Sequence, residues 1–195
     1  MTRGIHGTAA LTLIMFVSVS GSVNAAATRQ HGAHVHGVAE INIVIEGAKA
    51  VVEIRAPAEG IIGFEHEAKS ESDKKKRDAA LERLQKYKEQ MVVFDAKFSC
   101  TFSPMKTMIV EEKTAAAKDE PGKVSRGQKE QKKIGEHREV HGTFTAACAQ
   151  PLTGSRVRFG VTKAFPRIQE IKVQVLSDSG QSGATIKKDK GEVRL

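Results

Sequence analysis

Residues 31–37 read HGAHVHG, which places three histidines within seven residues. Neutral imidazole is a common zinc ligand, bonding at about 2.0–2.1 Å. His34 and His36 are two apart in a segment that alternates as strands do, so their rings should leave one face, about 7 Å apart at Cα. His31 can fold back as a third ligand. A second cluster, HREVH, sets His137 and His141 four apart with Glu139 between them. In an extended chain all three share one face. His66 lies in GFEHE, flanked by Glu65 and Glu67. His31, His34, His36, His66, His137 and His141 are therefore the candidate metal ligands. Each piece alone is weak, because H-x-H also describes a polar, solvent-facing strand, and a single loop histidine more often makes a hydrogen bond than a metal bond.

Little else in the chain suggests chemistry. There is no H-E-x-x-H, no G-x-S-x-G, no phosphate-binding loop and no C-x-x-C. A zinc hydrolase would need three protein ligands, an open water position and a nearby acid or base. Only Glu65 or Glu67 could be named as that base, and no motif supports either. The catalytic set is empty, and the chain reads as a non-enzyme.

The elements that must position the histidines are mostly strands. HVHGVAEINIVIEG and AKAVVEIRAPA both alternate, with Gly47 between them, which predicts a β-hairpin ended by Pro57. EGIIGFEHEA reads as a loop. SESDKKKRDAALERLQKYKEQM reads as a helix capped by Ser70 with Asp73, or by Ser72, with Ala80, Leu81, Leu84, Tyr87 and Met91 as its apolar stripe. Strand patterns return in VVFDAKFSCTF, MKTMIVEE, HREVHGTFTAAC, SRVRFGV, IQEIKVQVL and ATIKKDKGEVRL. Residues 113–136 have almost no large apolar side chains and many charges, so they are expected to form a disordered basic insertion. The fold class is α+β: mostly antiparallel β-sheet with one long helix, in a single domain.

Cys100 and Cys148 are the only cysteines. Each falls on the apolar side of an alternating segment, the first shared with Val92, Phe94, Ala96, Phe98 and Phe102, the second with Val140, Phe144 and Ala146. In an exported chain two such cysteines favour a disulfide, with a zinc-ligand pair as the rival.

The N-terminus supports export. Met1-Thr2-Arg3 is followed by TAALTLIMFVSVSG, an apolar run of signal-peptide length, and then by SVNAAA. Cleavage is expected after Ala25, or alternatively after Ala27. Residues 1–25 are then a signal peptide and 26–195 the mature domain. The run is too short and too rich in Ser and Thr to span a bilayer comfortably, so no stable membrane span is expected after cleavage. The net charge of +8 carries no base-stacking aromatic pattern, which argues against nucleic acid. The Lys74–Arg77 run is read as a solvated helix face.

Taken in order, HVHGVAEINIVIEG, VEIRAPAEGIIGFEHEA, FSC, HGTFTAACAQP and AFPRIQEIKVQVLSDSGQ resemble the zinc-regulated periplasmic protein family (ZrgA-like), formerly a domain of unknown function. The resemblance runs from about His34 to the C-terminus. It implies a periplasmic zinc-binding protein that assists zinc acquisition, or transfer to a binding-protein-dependent uptake transporter. On this chain the H-x-H-G histidines of the family are His34 and His36, the G-F-E-H histidine is His66, and the paired cysteines are Cys100 and Cys148. One departure matters. The family's central insertion is typically rich in His and Asp, whereas residues 113–136 contain no histidine and many lysines. Ammonium groups are poor ligands and repel cations, so one or two ordered zinc sites are expected rather than a high-capacity buffer. Imidazole ligation should weaken below about pH 6. The competing reading is a metal-independent cell-envelope protein whose basic helix and insertion bind an acidic partner or surface.

Overall fold

The computed structural model describes residues 35–112 and 137–195. His31, His34, the proposed signal peptide and the basic insertion at 113–136 lie outside the described residues.

The chain opens with a hairpin of β1 (Val38–Glu46) and β2 (Lys49–Pro57). Glu46 pairs with Lys49, and the two-residue connection begins at Gly47, whose φ of +55° is one an L side chain rarely adopts. A short helix, α1 (Ala58–Ile61), precedes the loop that carries Glu65 and His66. The long helix α2 (Glu71–Met91) is capped by Ser70, whose hydroxyl accepts from the Asp73 amide. Ala80, Leu84 and Met91 are buried, and Leu81 and Tyr87 pack beside them, so the predicted apolar stripe is the helix's inner face.

The predicted strand through VVFDAKFSCTF is instead three elements. β3 (Val92–Phe94) stops at Asp95, whose carboxylate accepts from the Lys97 amide at 3.2 Å and caps a 3₁₀ turn over Ala96–Phe98. Ser99 then takes a left-handed φ of +47°, and the chain re-enters a strand only at β4 (Thr101–Phe102). A side chain that bonds its own backbone offers the chain an alternative to the ladder, and here it wins. The remaining elements are β5 (Lys106–Glu112), β6 (His137–Ala147), β7 (Arg156–Phe159), α3 (Val161–Ala164), β8 (Glu170–Ser177), β9 (Gly180–Lys187) and β10 (Glu192–Arg194).

Among the described residues, seven strands form one sheet in the order β4-β6-β2-β1-β8-β9, with β5 also on β6; β10, β7 and β3 form a second. Every pairing is antiparallel except β1 with β8. The fold is thus the expected α+β arrangement, with one parallel pair. Each long strand turns alternate residues inward: Ile41, Ile43 and Ile45 from β1, Val52 and Ile54 from β2, Val140, Phe144 and Ala146 from β6, and Ile171, Val173 and Val175 from β8. These share one buried cluster with Leu84 and Met91 of α2 and with Val157 and Phe159 of the small sheet. Gly160 allows α2 and β7 to close on each other, since a Cβ there would lie 2.4 Å from the Gln90 carbonyl oxygen.

Cys100 and Cys148 form a disulfide that ties the start of β4 to the end of β6. Both pack against the core cluster. The bond removes the cysteine pair as zinc ligands.

Candidate metal site

The open face of the large sheet carries the other set of alternating residues. On β6 these include His137, Glu139 and His141, opposite the buried Val140 and Phe144. The extended conformation expected for HREVH is therefore present. Over four residues a strand advances about 13–14 Å, and the two rings go to different carboxylates. His141 Nε2 lies 2.7 Å from Glu139 Oε2. His137 Nδ1 lies 3.0 Å from Glu65 Oε2.

Glu65 reaches β6 from the loop after α1. Gly63 in that loop has φ of +102°, and a Cβ there would meet Arg167 Nη1 at 2.5 Å, so this bend requires glycine. Arg167 in turn contacts Glu59 of α1 at 3.4 Å. With the loop so placed, Glu65 takes His137 on one carboxylate oxygen and has His36 Nε2 at 3.8 Å from the other. The Glu65 side chain is only 17% exposed, against 61% for His36 and 37% for His137. A largely buried acid thus faces two more accessible imidazoles from separate parts of the chain.

His36 is not on a strand. The Val38 amide donates to the Val35 carbonyl at 3.1 Å, closing a turn around His36 and Gly37. Gly37 has φ of +79°, as the third residue of a type II turn requires. The Gly37 carbonyl accepts from the amides of Gln169 and Glu170, at 2.7 and 3.1 Å, which pins the turn to the start of β8. The alternation read through H-V-H-G is broken by this glycine, and β1 begins only at Val38.

His66 stands apart. Its ring stacks on Phe64 with centroids 4.5 Å apart, and its Nδ1 lies 3.0 Å from the Glu67 carbonyl oxygen. His141 belongs to a second polar group on the open face, because its register partner on β2 is Arg55. Arg55 donates to Glu53 Oε1 at 2.7 and 3.0 Å, and Asn42 donates to Glu53 Oε2 at 3.4 Å. Burial pushes the Glu53 carboxyl up. The hydrogen bonds and charge of Arg55, the Asn42 amide and the nearby His141 outweigh it, so the group titrates below its ordinary value.

Among the described residues no group of three or more His, Cys, Asp or Glu is placed so that it could hold a metal ion. What the fold does bring together is His36, Glu65 and His137, with the carboxylate between the rings. The sequence offers Glu65 only as a flank of His66 and, with Glu67, as a base without a supporting motif. No local pattern distinguishes it from Glu67, which instead contacts Lys69 at 3.2 Å.

These features define a class: a mainly antiparallel α+β domain with one internal disulfide and a histidine–carboxylate cluster beside a polar sheet face. Among the described residues no helix is long and apolar enough to cross a membrane. The family profile described as ZrgA family zinc uptake protein matches residues 33–195, and the chain belongs to that family. No curated protein matches the sequence.

Proposed function

We propose that this chain is exported to the periplasm by residues 1–25, binds zinc there as a non-enzymatic carrier, and hands the ion to an uptake transporter. Family membership supports the zinc connection. The observation that carries the site is Glu65 lying between His36 and His137 at 3.8 and 3.0 Å. A zinc ion could replace the proton that such an acid–imidazole contact shares, drawing one carboxylate and two neutral imidazoles into its first shell. His34 and His31, two and five residues before His36, are the available further ligands. In this reading zinc is cargo, and no water-activating position is needed.

The test is calorimetric zinc titration of residues 26–195 at neutral pH, beside His36→Ala, His137→Ala and His141→Ala variants. The expected result is one main site weakened by the first two substitutions and retained in the third. Retention of parental affinity by both His36→Ala and His137→Ala would overturn the assignment.

A further inference from the structure

Arg138 is out of place in its row. On β6 the residues facing the core are Arg138, Val140, Gly142, Phe144 and Ala146, and four of these five are apolar or glycine. The Arg138 side chain is 13% exposed, and its Nη2 donates to Glu111 across the β5–β6 ladder. Its Nε is fully buried and has no hydrogen-bond partner. A buried charged donor left unmade is costly, so this atom marks a place where an acceptor is wanted.

Arg138 lines a cavity of about 270 Å³ between α1, the loop after it, α2 and the β5–β6 ladder. One part of the wall is apolar: Ala58, Ile62, Phe64 and Ile109. The remainder includes Arg138, His66 and Arg77, together with two acids, Glu67 and Glu111. Arg77 is held by Asp78 at 2.8 Å and Glu67 by Lys69 at 3.2 Å. His66 Nδ1 donates to the Glu67 carbonyl, so its Nε2 is an acceptor while the ring is neutral and supplies no donor to an anion. The unmet demand is therefore for one hydrogen-bond acceptor beside an apolar surface.

We infer that this cavity is a binding site for a small organic monocarboxylate with an apolar body. A carboxylate meets an arginine side-on through Nε and one Nη in two parallel bonds. Arg138 offers that edge half used: Nη2 is on Glu111, which is 61% exposed and can swing into water, and Nε is unbound. The apolar wall receives the body of the ligand. Phosphate and dicarboxylates are disfavoured, because they would leave charge against Ile62 and Ile109 or near Glu67 and Glu111. The site is separate from the zinc proposal, since Arg138 faces the core side of β6 and His137 the open side.

The experiment is a titration of the ¹⁵N-labelled mature chain with benzoate in zinc-free buffer, following the Arg138 side-chain Nε–H resonance. Acetate, benzyl alcohol and sodium chloride serve as comparison ligands. Benzoate should shift that resonance saturably with a Kd of about 1 mM, as expected for a ligand of this size. Acetate lacks the body and benzyl alcohol the charge, so each should bind at least about tenfold more weakly. Arg138→Gln should remove benzoate binding. If that variant does not fold, His66→Ala on the exposed loop, which removes the ring stacked on Phe64 of the wall, should weaken binding several-fold with the fold intact. An Arg138 resonance unmoved by benzoate, or moved equally by acetate or chloride, would overturn the proposal. It would do so whatever the zinc titration gives.

Discussion

Replacing Glu65 by Gln should separate the metal role of this residue from its structural one. The substitution keeps size and shape and removes the charge. In the zinc-free protein it alters one 3.0 Å contact to a 37% exposed imidazole and a looser one at 3.8 Å. Partly exposed pairs of this kind are worth up to about 1 kcal/mol, or about 2–4 °C in Tm for a domain of this size. The zinc-bound protein should respond far more. Removing an outer-shell partner of a metal already costs about 10–100-fold in affinity, and Glu65 is placed as a direct ligand, so about 100-fold is a fair minimum. At free zinc 100 times the parental Kd, binding stabilises the parent by about 2.7 kcal/mol, which raises Tm by about 5–11 °C. At the same zinc concentration Glu65→Gln would sit at its own Kd, gain about 0.4 kcal/mol and rise by about 1–2 °C. Thermal unfolding of both proteins, with and without zinc, reads the difference of differences, so a shared loss of apo stability cancels. Equal zinc-induced shifts in parent and variant would refute the placement of Glu65 in the site.

Removing the disulfide as Cys100→Ala/Cys148→Ala opens a 48-residue span, for which chain entropy gives a loss of about 4 kcal/mol, readable as a lower denaturant midpoint. Glu53 should contribute to acid sensitivity: its carboxyl titrates below the ordinary 4.5 when folded, so its stabilisation is complete above that pH and is lost as pH falls through the folded value. Urea midpoints of Glu53→Gln should accordingly start lower at neutral pH and fall less than the parent's between about pH 5 and pH 3. Gly160→Ala places a Cβ 2.4 Å from a backbone oxygen and should destabilise strongly. Gly60→Ala meets only the tip of Ile168 at that distance and should cost less, and equal Tm losses would contradict that reasoning.

Much of the fold could be read from local patterns. Strict alternation located β1, β2, β6 and β8 and put Val140, Phe144 and Ala146 of β6 on its inward face, because a period of two is a property of the strand itself. The Ser70 cap and the stripe of α2 were legible for the same reason, as both depend on residues within a few positions of each other. The disulfide was favoured by two cysteines in a chain read as exported, with a zinc-ligand pair as the rival that the structure removes. Where local reading failed, the cause was a backbone detail. Asp95 bonds its own turn and breaks the strand before Cys100, and Gly37 bends the chain so that His36 leaves the ladder that His34 and His36 were expected to share.

The sequence by itself determined which residue types this chain has for a cation, six histidines from residue 31 onward and none of them within residues 113–136, and which face of β6 presents His137 and His141. It could not determine which of them meet. That depended on β8 lying parallel to β1, which pins the His36 turn, and on the path of the loop after α1, set by Gly63 against Arg167. Glu65 and Glu67 flank one histidine and are chemically identical, yet one reaches His36 and His137 while the other reaches Lys69. Contacts across 72 residues follow from packing and chain reversal, which no short-range periodicity encodes.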